Sequence, residues 1–199
     1  MKPLRIFTLL LIAFTSFSFT ASSGLPEDFK KLLDRNKMSY IPAEGYAEVP
    51  VIANDQMEYE YAVKHKTVAL EVRYAIRPMD NEITEYKKWL KNKPKGSTMI
   101  NPDNLYEALF QTTLLNISGG NLPEIGPFPP AAVKSEFNAD WGASSITTAH
   151  GGFAGKYKYC FAIALNKKGV GNAYIFFMAN DQQLITDHFE EAFHSLKFK

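Results

Sequence analysis

The sequence predicts an α+β fold in which helices pack on an antiparallel β-sheet. Three observations carry this. Two groups of strand-like segments, within 46–77 and 141–179, carry apolar side chains at a period of two. Segments with helical apolar spacing precede, separate and follow them. The segments near 156–166 and 171–179 are apolar on both faces, as central strands covered on both sides are.

Residues 1–23 read as a cleaved signal peptide. Lys2 and Arg5 precede the apolar run Ile6 to Phe19, which leads into the small and polar residues Thr20 to Gly24. The run is 14 residues long, short of the roughly 20 a membrane-spanning helix needs. Cleavage is expected near Ser23. No cysteine stands near the junction to take a lipid. The expectation is an exported protein, periplasmic or secreted, with residues 24–199 as a single globular domain. Losing Lys2 and Arg5 takes the formal charge from +1 to −1, which leaves no footprint for nucleic acid and no polybasic membrane patch. The one cysteine, Cys160, permits no internal disulfide even in an oxidising compartment, so stability has to come from the core.

Residues 25–38 predict a first helix from Leu25, Phe29, Leu32 and Leu33, with Pro26 in its first turn. Residues 39–45 read as a connector. Strands are expected near 46–52, 56–64 and 67–77. A two-residue turn at His65 and Lys66 would set Val63 opposite Val68, Tyr61 opposite Leu70, Tyr59 opposite Val72 and Met57 opposite Tyr74. One hairpin face is then apolar. The other pairs Glu58 with Arg73, carries Glu60, Glu71 and Arg77, and is expected to be solvated or partly covered.

Asp80 predicts an N-cap for a helix over 81–92 with the stripe Ile83, Tyr86, Trp89 and Leu90. A deeply buried helix is expected from Asn101 and Pro102 to about 118, stopped by Gly119 and Gly120. Residues 119–130, rich in Gly and Pro, read as a surface loop. Strands near 141–149, 156–166 and 171–179 follow, and a helix near 182–195 closes the chain.

This order of elements, with ALEVRYAIRP, KYKYCFAIAL, NAYIFFMAND and the closing HSLKF, resembles the PsbP-like family over roughly residues 40–199. The resemblance implies an α/β/α sandwich, known from an extrinsic photosystem II subunit, a Ran-binding nuclear import factor and exported bacterial proteins. Such members are mostly accessory or binding proteins, and no functional residue carries over.

Enzyme signatures are weak throughout. Gly142 to Ile146 lacks the final glycine of a nucleophile elbow, and an extended strand would hold Ser144 about 20 Å from His150, apart from Asp140 as well. Cys160 shares parity with Ala162 and Ala164, which reads as a buried thiol. Gly151 to Tyr157 is one residue short of a phosphate loop and leads into a strand. His188, Glu191 and His194 lack a metalloprotease pattern and read as structural, while Asp80, Glu82 and Glu85 read as a helix start. Glu58 and Glu60 read as ion-pair partners of Arg73. No enzyme, metal or cofactor is therefore expected.

The candidate binding residues are Trp141, His150 and Phe128. Trp141 and His150 bracket a strand of small residues, which either admits a close-packed helix or leaves a groove. Phe128, between prolines, would lie over that groove. The expected function is an accessory or binding protein acting through a protein partner. The alternative is a carrier or sensor of a small apolar ligand. An enclosed apolar cavity would favour the carrier, and a flat aromatic patch around Trp141 and Phe128 the partner.

Overall fold

A computed structural model of the chain describes residues 24–199; the expected leader, residues 1–23, lies outside the described residues. Helix α1 (Glu27–Arg35) begins at Pro26 and turns Phe29 and Leu33 inward. Strand β1 (Met38–Tyr40) follows at once, where a connector was expected, and pairs antiparallel with β9 (Leu196–Phe198). Met38 faces Phe198 and Tyr40 faces Leu196.

The main sheet has seven strands in the order β2-β3-β4-β8-β7-β6-β5, every neighbouring pair antiparallel. They are β2 (Tyr46–Glu48), β3 (Tyr61–His65), β4 (Glu71–Pro78), β5 (Gly126–Pro127), β6 (Trp141–Thr148), β7 (Tyr159–Lys167) and β8 (Gly171–Ala179). Central β8 is buried along its whole length, as its two apolar faces require. Ile163, Leu165, Ile175 and Phe177 face one core together with α1, α6 (Gln182–His188) and α7 (Glu190–Phe193). Cys160, Ala162, Tyr174 and Phe176 face a second core under α3 (Tyr106–Ile117) and the one-turn α5 (Gly151–Ala154). The chain is thus an α/β/α sandwich.

The first hairpin keeps the expected side-chain parity in another register. Tyr61 pairs with Tyr74 and Val63 with Val72. His65 lengthens the turn, because its Nδ1 lies 3.2 Å from both the Thr67 and the Val68 N–H and accepts from them. Before Tyr61 the chain leaves the ladder, and Tyr59 crosses to the second core. The polar face is partly covered, with Glu60 and Arg77 half-buried and Glu58 exposed, but one part of it is sealed. Glu71 and Arg73 are buried, and Arg73 Nε donates to Glu71 Oε1 at 2.7 Å. Tyr157 Oη donates to Glu71 Oε2 at 3.0 Å, and a second Arg73 nitrogen donates to Phe153 O. The guanidinium lies over the Tyr59 and Phe153 rings at 4.9 and 5.1 Å. Glu58 does not pair with Arg73; Arg77 donates instead to Glu60 Oε1 and to the Glu58 carbonyl.

Three other expectations change in detail. Asp80 lies inside α2 (Asp80–Asn92), whose cap is Met79, and its carboxylate accepts from Arg35 at 2.7 Å. Helix α3 buries Phe110, Leu114 and Ile117 but exposes Leu109 and Leu115, so its burial is one-sided. Part of the Gly/Pro-rich loop is β5, which extends the sheet beside Ala143 and Ser144. The short helix α4 (Pro130–Ala132) runs into a π-turn at Val133–Phe137.

Candidate functional site

The main cavity lies where α2 fails to close on the sheet. The α2 stripe reads as amphipathic, yet among its residues only Ile83 is buried and Leu90 is 51% exposed. Its start is held by Asp80 on Arg35. Its end is turned outward: Trp89 stacks on Tyr86 and donates Nε1 to Ser97 Oγ. Helix α3 is anchored on the other side by Phe110 and Leu114. The ends of β4 and β8 form the floor between them.

The resulting cleft holds about 710 Å³ and is partly open to solvent. That volume lies in the range of small-molecule sites, roughly 300–1,000 Å³. Met57, Met79 and Met99, three of the chain's six methionines, line it with Leu105 and Leu109. Thioether side chains adapt to irregular apolar shapes, so this lining suits an apolar body better than a polar one. Tyr174 on β8 and Thr113 on α3 add hydroxyls. Burial pushes the Tyr174 phenol up to about 12, with Arg77 and Thr113 pulling the other way, so it stays neutral and can donate or accept. Glu82 and Glu85 make the α2 side of the rim acidic. Arg77 also lines the cleft, but its guanidinium is already committed to Glu60 at 2.6 Å, to the Ile76 carbonyl and to the Glu58 carbonyl. Burial raises the Glu60 carboxyl above its ordinary value, an effect Arg77 and the Ile76 N–H only partly offset.

The residues singled out from sequence lie elsewhere and apart. Trp141 is half-buried on the α3 side, with Tyr106 at 4.9 Å and Phe110 at 6.2 Å between ring centroids. Phe128 packs into the other core, against Phe137 and Phe193 at 6.3 and 6.0 Å. The sheet separates the two aromatics. Gly142 makes Phe128's approach possible, since a Cβ there would lie 3.1 Å from its ring and 3.2 Å from Leu165. His150 is exposed beyond the far end of β6; its N–H donates to Ile117 O and its Nε2 lies 3.2 Å from Thr148 Oγ1. Asp140 is held by Lys134 and the Lys168 N–H, so Asp140, Ser144 and His150 do not converge. His194 pairs with Glu136.

Sequence reasoning missed the cleft residues. Met57, Met79 and Met99 come from three separate connections, and no periodicity links such positions. The visible signal was the α2 stripe with its large aromatics, which suits a helix that covers something. No protein-family model and no curated protein matches the chain.

Proposed function

We propose that this protein is a non-enzymatic binding protein that holds a small, mainly apolar molecule between α2, α3 and the ends of β4 and β8. The observation that carries this reading is the methionine-lined cleft of about 710 Å³. Fully burying an exposed apolar side chain contributes about 1.5–3 kcal/mol, and the fraction still open at Leu109 and Met99 on the cleft lining is 40% and 39%. An apolar occupant would gain that burial. Export is proposed from the character of residues 1–23, and a PsbP-like affiliation from the order of elements.

An accessory role, in which a protein partner lays an apolar segment into the same cleft, is the second reading. The exposure of Ile100, 69% and next to Met99 in the chain, favours it.

Native mass spectrometry of the gently purified, tag-free protein tests both. A co-purifying small mass, lost on denaturation and absent from Leu109→Glu, supports the carrier. A co-purifying polypeptide replaces it with the accessory reading. Bare protein that also fails to take up a panel of apolar probes rejects both.

A further inference from the structure

A second site lies at the opposite edge of the sheet from β5, where β3 ends against the α6–α7 junction. His65, His188 and Glu191 each bring one ligand atom there, and the three atoms lie within 4.8 Å of one another. Glu191 is shared between the rings, with Oε1 2.9 Å from His188 Nδ1 and Oε2 3.5 Å from His65 Nε2. The ring centroids are 5.4 Å apart. Gly45, at φ 81°, turns the chain past His65, and a Cβ there would lie 3.4 Å from Nε2, so glycine keeps that nitrogen's surroundings clear.

A surface ion pair is the plainest account of a histidine beside a glutamate, and such a pair contributes little to stability. It does not explain the second imidazole. The Tyr46 ring stands edge-on to His65 at 5.0 Å and is 9% exposed, with its hydroxyl close to the Glu191 carboxylate. Burial first, and then the Glu191 charge, raise its phenol above the ordinary value.

We propose that His65 Nε2, His188 Nδ1 and the Glu191 carboxylate form a three-ligand site for a late first-row divalent cation, Zn²⁺ in particular. Two imidazoles and one carboxylate suit Zn²⁺, whereas Ca²⁺ and Mg²⁺ demand mostly oxygen. Tetrahedral Zn²⁺ at 2.0–2.1 Å from nitrogen separates its ligands by roughly 3.3 Å. Each imidazole stands near that distance from its own Glu191 oxygen, 2.9 Å for His188 and Oε1 and 3.5 Å for His65 and Oε2.

Uptake requires a tautomer change at His65. In the free ring Nδ1 accepts from the Thr67 and Val68 N–H groups, which leaves the proton on Nε2, facing Glu191. Metal takes the Nε2 lone pair, and the proton moves to Nδ1, where Thr67 Oγ1 lies 3.2 Å away to accept it. The two backbone bonds are given up in exchange. Thr67 is therefore a positioning residue for the metal.

The test is Zn²⁺ titration of the tag-free, chelator-stripped full chain by calorimetry, with the Co²⁺ visible spectrum as a second readout. One equivalent is expected, with the d–d bands of four-coordinate Co²⁺. His188→Ala should weaken binding at least tenfold and Thr67→Val severalfold, while His194→Ala should bind as the parent does. His188 carries an exposed edge, 28% of its side chain, so its truncation leaves the core intact and circular dichroism should confirm the fold. Absence of saturable one-to-one binding, or a His188→Ala variant that binds like the parent, overturns the proposal.

Discussion

Arg73 Nε donates to Glu71 Oε1 at 2.7 Å, joining two residues on the same face of one strand, both cut off from solvent. Their other hydrogen bonds reach α5 and the residues after it, while the guanidinium also lies over the Tyr59 ring. The Phe153 carbonyl and the Tyr157 hydroxyl both bind it, so the ion pair fixes the connection between β6 and β7.

Removing one partner of a buried pair leaves the other charge uncompensated, at about 3–5 kcal/mol. Arg73→Met should therefore lower the urea midpoint by that equivalent. The double variant Glu71→Leu/Arg73→Met should recover a large part of the loss, because no charge is then stranded. A double variant as unstable as the single would show that packing around Tyr59 and Phe153, rather than charge, is what Arg73 supplies.

Gly171 opens β8 against the end of β4. A Cβ there would overlap the Arg77 carbonyl, Pro78 Cα and Asn36 Oδ1, two of them backbone atoms that cannot swing aside. Gly171→Ala should destabilise by about 1–3 kcal/mol, read by thermal or urea unfolding. Gly120→Ala, where nothing lies within 4 Å but φ is 94°, separates backbone strain from crowding. An equal loss at both positions would assign the effect to strain.

Glu60 gives stability an unusual pH dependence. Its carboxyl is raised by burial, so the folded chain holds the proton longer than the unfolded chain does. The contribution is full below the unfolded value of 4.5 and is lost as pH rises through the folded value. Urea midpoints of the parent minus those of Glu60→Gln should fall as pH rises above the unfolded value of 4.5. A difference that rises with pH would mean that Arg77 outweighs burial.

Cys160 lies on β7, wholly buried, and burial pushes its thiol up, with Arg73 acting slightly in the opposite direction. A thiol-reactive dye should leave the native protein unlabelled and label it fully in denaturant. Rapid labelling of the native chain would place the thiol in a breathing region.

Legibility in the sequence followed the range of the signal. Strands β6, β7 and β8 were visible because each repeats its own two-residue pattern, and each later pairs with a neighbour in sequence. The β3–β4 register was not, since it depends on His65 capping a longer turn with its ring. Parity survived that shift, which is why Val63 and Val72 still face the core. Burial of Glu71 and Arg73 was hidden because the cover comes from Phe153 and Tyr157, far along the chain. The cleft and the meeting of His65 with His188 arise from how distant elements pack. Phe128 was expected over a groove along the small-residue strand that Trp141 begins, and the sheet places the two rings in opposite cores.

The β1–β9 ribbon sets an order of events for a chain delivered from one end. Ser39 Oγ reaches the Lys197 carbonyl, 158 positions later. A nascent chain emerging amino end first would hold Met38 to Tyr40 as an open edge until those residues arrived. The large closure distance makes this pairing a late and slow step. During that interval β1 would stand as an unpaired edge open to other strands.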